Sequence, residues 1–227
     1  MTVEHTHQHT HQHDHGHDQQ AHGEGSNAWH WDERYRQSDR IWSGQPNRVL
    51  VEEAEGLVPG RALDLGCGEG ADAVWLATKG WKVTATDLSA VAIERASGHA
   101  ADAGVTVDFQ RHDLDASFPD GEFDLITAMF FHSFVDLKRE DILRRAAAAL
   151  APGGRLLIVS HAGFPDWHEG ERPDVSFPTP DETVAELHLS ADYEVLKAEE
   201  HAKEVFRPDG QRGVRHDSTV LVRRLSA

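Results

Sequence analysis

Between Ala62 and Ser160 the chain alternates short aliphatic runs with longer helical patterns, and this alternation narrows the fold more than any other feature. The spacing predicts strands at Ala62 to Leu65, Lys82 to Thr86, Thr106 to Gln110, Phe123 to Met129 and Arg155 to Ser160. Helices are predicted between them at Ala71 to Thr78, Ala90 to Ala103 and Lys138 to Leu150, the last carrying an Ala-rich run that favours helix. Strands separated by helices can pair in parallel because each crossover is long enough, so the reading is an α/β, Rossmann-like, doubly wound sheet. After residue 178 the pattern changes. "TPDETVAELHL" is helical, with Thr179 or Asp181 as its cap, and "DYEVLKAEEHAKEVF" and "GVRHDSTVLVRRL" are extended segments joined at Pro208, Asp209 and Gly210. So tight a connection makes these two strands antiparallel. Upstream, "WHWDERYRQSDRIW" and "PNRVLVEEAEGL" read as two short helices in front of the sheet.

With 227 residues and 39% hydrophobic content the chain can bury one good core. We expect one domain over residues 28–227, preceded by a disordered tail over residues 1–27. The counted charge of −17 repels phosphate backbones, which disfavours nucleic acid and leaves a small molecule as the partner. Cys67 is the only cysteine, so no internal disulfide forms, and no apolar run approaches a membrane span. These features predict a soluble, cytoplasmic monomer or homodimer.

The tail places His5, His7, His9, His11, His13, His15 and His17 at every second position. An extended chain puts these imidazoles on one face, a ribbon able to hold Zn, Ni or Cu weakly through interchangeable arrangements. The alternative is a neutral or purification-type segment.

The loop "LDLGCGEG", from Leu63 to Gly70, joins the first strand to a helix, the place where α/β proteins bind nucleotides. Gly66, Gly68 and Ala71 satisfy a dinucleotide pattern, so NAD is not excluded by glycine spacing. Asp64 before the loop and Glu69 inside it would face a pyrophosphate with uncompensated negative charge. S-adenosylmethionine (SAM), with a sulfonium, an ammonium and no phosphate, suits both acids better. Asp87, ending "KVTATD", can accept from ribose hydroxyls of either cofactor, and Asp113 in "RHDLD" can accept from an adenine amino group.

"LDLGCGEG", "TATDLS", "RHDLD", "FDLITAMFFH" and "LAPGGRLLIV", in this order, resemble the successive motifs of class I SAM-dependent methyltransferases over roughly residues 45 to 224. The resemblance implies a seven-stranded sheet whose last strand is antiparallel. It implies a cofactor site of Asp64, Gly66, Cys67 and Gly68 at the methionine end, Asp87 and Leu88 at the ribose, Asp113 and Leu114 at the adenine, and Ala128 beside the cofactor after the fourth strand. The opening "WDERYRQSDRIWSGQPN" and the ending "FRPDGQRGVRHDSTVLVRR" are most similar to the small-molecule branch with tellurite-resistance and thiopurine-type methyltransferases. Where the tellurite enzymes carry a His-Arg pair, this chain has Phe206 and Arg207, so the resemblance does not by itself carry over their acceptor chemistry.

Other residues admit two readings. His132, after the fourth strand, is either a base for an oxygen or nitrogen acceptor or a loop-orienting group. His161, and Arg215 with His216, either contact the acceptor or belong to a surface. Trp29, Trp31, Tyr35 and Trp42 either form a lid over the cleft or pack a leading helix. Cys67 reads as a small buried filler. The expected function is methyl transfer from SAM to a thiol, a metalloid or another small nucleophile. The rivals are an NAD-dependent oxidoreductase and a non-enzymatic metal-binding protein.

Overall fold

The computed structural model describes residues 25–133, 137–168, 177–207 and 209–226. The imidazole ribbon and Pro208 lie outside them. Two helices lead, α1 (Asn27–Arg36) and α2 (Arg48–Ala54), and β1 (Arg61–Leu65), α3 (Ala71–Thr78), β2 (Lys82–Asp87), α4 (Ala90–Asp102) and β3 (Asp108–Arg111) follow. The chain continues through β4 (Phe123–Met129), α5 (Arg139–Ala148), β5 (Leu150–His161), α6 (Pro180–Glu186), β6 (Tyr193–Phe206) and β7 (Arg212–Arg224). One seven-stranded sheet results, in the order β3-β2-β1-β4-β5-β7-β6. Strands β1 to β5 pair in parallel, and β7 runs antiparallel to both β5 and β6, the hairpin expected from the sequence.

Central strands are apolar on both faces because helices cover both. Leu63, Leu65, Ile126, Leu156 and Ile158 meet Ile142, Leu143 and Ala146 of α5 on one side. Ala62, Val83, Ala85, Leu125 and Leu157 meet Leu50 of α2 and Ala73 and Leu76 of α3 on the other. Helix α4 buries Ala92, Ala96 and Ala100, one residue per turn, with the Ser89 hydroxyl capping Ala92 N. Helix α6 starts in a capping box in which the Thr179 hydroxyl accepts from Glu182 N while the Glu182 carboxylate accepts from Thr179 N.

The largest departure from the sequence reading is at Leu150. It belongs to β5, pairing with Phe123, while α5 stops at Ala148. Pairing to β4 overrides the helix propensity of the Ala-rich run there. At the other edge β6 is guarded by Glu199, Glu200, Lys203 and Glu204, charges that discourage pairing with another chain. No helix among the described residues is long and apolar enough to cross a membrane.

Candidate functional site

The strand order reverses between β1 and β4, so the crevice beyond their C-terminal ends is where a doubly wound sheet receives a ligand. The glycine loop forms one wall. Cys67 N donates to Thr86 O (2.8 Å) and Gly68 N donates to Asp87 Oδ2 (2.9 Å), which ties the loop to the end of β2. Gly66, Gly68 and Gly70 all take positive φ, 66°, 54° and 82°, so the turn needs glycines for its backbone and not only for space. Asp87 Oδ1 also accepts from Ser89 N (2.9 Å). Burial pushes the Asp87 carboxyl up, and the N–H groups of Ser89, Gly68 and Leu88 pull it back. Leu88 is half-buried, and its carbonyl accepts from Arg111 Nε (3.1 Å).

Asp64 is 2% exposed and lies opposite Thr127 in the β1–β4 pairing. The Thr127 hydroxyl donates to Asp64 Oδ1 (2.7 Å), whereas Oδ2 is buried with no partner among the described residues. Burial, then Asp72, pushes its carboxyl well above the ordinary range, with Asp87 adding and the Thr127 bond opposing. An unpaired buried carboxylate oxygen is costly, and a cation brought to it relieves that cost. Cys67 behaves as the predicted filler: burial, then Asp87, raises its thiol well above the usual value, which leaves it protonated and inert.

Asp72, in the first turn of α3, accepts from Asn47 N (2.5 Å), and burial moves its carboxyl up to about 6. Its folded value exceeds its unfolded one, so the folded state holds the proton more tightly. The resulting penalty is absent below about pH 4 and complete above about pH 6. Asp72→Asn is therefore expected to raise stability by on the order of 2 kcal/mol at neutral pH and by almost nothing near pH 4. Urea unfolding at the two pH values measures this, and an equal gain at both would refute it.

The structure places Glu69, Ala128, Asp113 and Leu114 as follows. Glu69 is not an uncompensated charge: it is 4% exposed, pairs with Arg95 Nη1 (2.9 Å) and accepts from Ile41 N (3.2 Å) and Trp42 N (3.1 Å). It fastens the segment after α1 to the loop and does not discriminate between cofactors. Ala128 lies inside β4, fully buried in the core on the α5 side, because pairing extends that strand to Met129. Asp113 is exposed, and its Oδ1 accepts from Asp115 N (3.1 Å), capping its own turn, while Leu114 is buried in the α5-side core.

Aromatic side chains cover the loop. A Cβ on Gly68 would stand 2.9 Å from Tyr35 Oη, and one on Gly66 would stand 2.7 Å from Phe131 Cδ2. Trp42 Nε1 donates to Tyr35 Oη (3.2 Å), Trp31 Nε1 donates to Ser133 Oγ (3.4 Å), and the Ser89 hydroxyl donates to Asp32 of α1 (2.6 Å). The leading segment thus both packs the domain and roofs the crevice.

Beyond β4 the chain turns sharply. Phe130 takes φ 51°, its N–H donates to Val159 O (2.7 Å), and His132 N donates to Phe130 O (2.8 Å). This left-handed phenylalanine brings two rings against His161: Phe130 at 4.5 Å and His132 at 5.9 Å between centroids. Burial, then Arg139 and then His161, lowers His132 to about 4, so it is neutral near pH 7 and a weak base. His161 Nδ1 lies 2.9 Å from Oδ1 of Asp217, which Arg215 grips with Nε (2.9 Å) and Nη2 (2.8 Å). Sequence reasoning named His161 and Arg215 but missed Asp217, since only the β5–β7 register sets it opposite His161. Among the described residues no group of three or more His, Cys, Asp or Glu is arranged to hold a metal.

Comparison with known proteins agrees with this geometry. Residues 62–154 match a family model described as a methyltransferase domain. Over 152 residues the chain is 38% identical to 2-heptyl-1-hydroxyquinolin-4(1H)-one methyltransferase of Mycobacteroides abscessus, covering 63% of this chain and 66% of the relative. The chain spans between 41% and 66% of the length of the first curated relatives it matches. Two solved structures share the fold. One, reported for the conversion of a disulfide bond into a thioacetal group during echinomycin biosynthesis, has a TM-score of 0.68 at 24% identity, covering 88% of this chain and 92% of its own. The other, TehB from Haemophilus influenzae, has a TM-score of 0.64 at 21% identity, covering 87% and 66%. Residues 62–154 thus carry a methyltransferase domain, and in motifs and sheet order the chain is similar to the class I SAM-dependent methyltransferases.

Proposed function

We propose that this protein transfers the methyl group of SAM to a small-molecule acceptor at the C-terminal edge of β1, β4 and β5. The observation that carries the reading is the buried, unpartnered Oδ2 of Asp64 beside the glycine loop, a seat for a cation and an unfavourable one for pyrophosphate. In this reading Asp64, Gly66, Cys67 and Gly68 hold the amino-acid end, and Asp87 with Leu88 holds the ribose. The free oxygen of Asp113 and the backbone at Leu114 meet the adenine. Ala128 supplies only the floor of the strand, and contact passes to the residues after Met129.

Bound SAM supplies an activated methyl group on a sulfonium, and the protein's task is to position and to exclude water. Tyr35, Trp42 and Phe131 do this by roofing the loop. They must move for loading, so the roof is a lid in function. The acceptor side lies over β4 and β5, lined by Phe130, His132 and His161. That the curated relative is named for a hydroxyquinolinone supports a small aromatic acceptor here, and a thiol or metalloid remains within the same class of chemistry.

Calorimetry with SAM, S-adenosylhomocysteine and NADH tests the reading. Saturable binding of the first two at micromolar concentration, with none for NADH, is the expected result. Saturable NADH binding without SAM binding would overturn it in favour of an oxidoreductase.

A further inference from the structure

We propose that His161, oriented by Asp217, is the catalytic base of the methyl transfer, and that the acceptor is therefore a hydroxyl compound, a phenol or enol. This rests on the methyltransferase reading and names its substrate class.

His161 is the last residue of β5, on the edge that carries the glycine loop and the end of β4. Its side chain is 34% exposed, so a ligand can reach it, whereas Asp217 is 2% exposed. Burial alone would raise the Asp217 carboxyl, but hydrogen bonds from His161 and Arg215 and the Arg215 charge carry it below the ordinary aspartate value. An ionised Asp217 accepts only, so in the neutral ring Nδ1 of His161 carries the hydrogen and Nε2 has the lone pair. The Phe130 ring stacks on the imidazole and limits its rotation, held there by a left-handed backbone and by packing against the core. A fixed tautomer, a fixed ring plane and a buried counter-charge are what a general base needs.

The charges around His161 come from several elements. Asp217 and Arg215 lie on β7, His201 lies on β6 opposite Asp217, and His132 follows β4. Arg139 reaches in from α5 to the hydroxyl of the neighbouring Ser160 (3.1 Å) and pairs with Glu186 of α6 (3.6 Å). Asp217 is the only carboxylate bonded to the ring among the described residues.

In the step itself the acceptor O–H gives its proton to Nε2 of His161, and an oxygen lone pair forms the new O–CH3 bond. The S–CH3 bond breaks with its electron pair staying on sulfur, which becomes the neutral thioether of S-adenosylhomocysteine. The imidazolium sits against Asp217 until water takes its proton. A thiol, with a pKa of about 8.5, is already ionised to a few per cent near neutrality, while a phenol near 10 is ionised to well under 1%. An oriented base therefore matters for the hydroxyl and is redundant for the thiol.

The test compares wild type, His161→Gln, Asp217→Asn and Asp217→Glu with catechol, 1-hydroxyquinolin-4-one and thiophenol as probes. Wild type should methylate a hydroxyl probe with kcat/KM rising with pH to a plateau. His161→Gln should lose about 10²-fold or more on that probe, lose the pH limb, and show a far smaller loss on thiophenol. Asp217→Asn should lose about 10²-fold, with Asp217→Glu partly restoring it. In the ligand-free protein, 15N shifts should report an Nδ1–H tautomer for His161 that becomes mixed in Asp217→Asn. Turnover of thiophenol alone by wild type, or hydroxyl turnover within about threefold of wild type in His161→Gln with an unchanged pH profile, overturns the proposal and leaves methyl transfer standing. Calorimetry with S-adenosylhomocysteine separates the cases, because absence of binding to wild type overturns both readings.

Discussion

Replacing Asp87 with alanine is expected to weaken S-adenosylhomocysteine binding about 100-fold or more. Two ligand hydroxyls would lose a charged acceptor, at about 1.5–3 kcal/mol for each hydrogen bond. A second loss comes from the protein itself, since Asp87 Oδ2 holds Gly68 N and Oδ1 holds Ser89 N, so the glycine loop loses its tie to β2. Asp87→Asn grades the two losses: its amide keeps one acceptor and the side-chain shape but removes the charge and turns its NH2 toward either Gly68 N or Ser89 N, so it should bind about tenfold more weakly than wild type and give up one of the two backbone ties. Calorimetry with unfolding curves decides between them. Affinity within a few-fold of wild type in Asp87→Ala would mean that the ribose lies elsewhere.

Glu69→Ala should cost about 3–5 kcal/mol of stability, the range for removing one partner of a buried ion pair. Arg95 would be left without its carboxylate, and Ile41 N and Trp42 N would lose their acceptor. The segment that presses Trp42 toward the loop would loosen with it, so the variant should also expose Tyr35 and raise the rate of cofactor exchange. Urea unfolding followed by tryptophan fluorescence measures the first effect and stopped-flow binding the second. A loss below about 1 kcal/mol would show that solvent replaces the carboxylate and that the roof is held by its aromatic contacts instead.

The fold was legible because its signals are local. Helical and extended periods alternate along the chain, and the hairpin turn near Gly210 forces antiparallel pairing whatever the core does. Asp64 and Asp87 were legible for a related reason: each ends or nearly ends a strand whose position follows from its own residues, so parallel pairing delivers both to one edge. Glu69 was misread because its local neighbours are glycines and its partner Arg95 arrives from α4, beyond both α3 and β2. The His161 and Asp217 pair was out of reach, since nothing near either residue announces the other and the register of β5 on β7 alone joins them.

What the amino-acid order determined by itself is the parallel sheet with its closing hairpin, the glycine turn after β1 and the acids at the strand ends, because propensity, periodicity and backbone freedom act over a few residues. Tertiary structure alone decided which charges are neutralised, which carboxylate oxygen is left buried without a partner, and which histidine is held by an aspartate. Those properties depend on burial and on partners dozens of residues away, and electrostatic energy is set by distance in space and by the surrounding dielectric, not by separation along the chain.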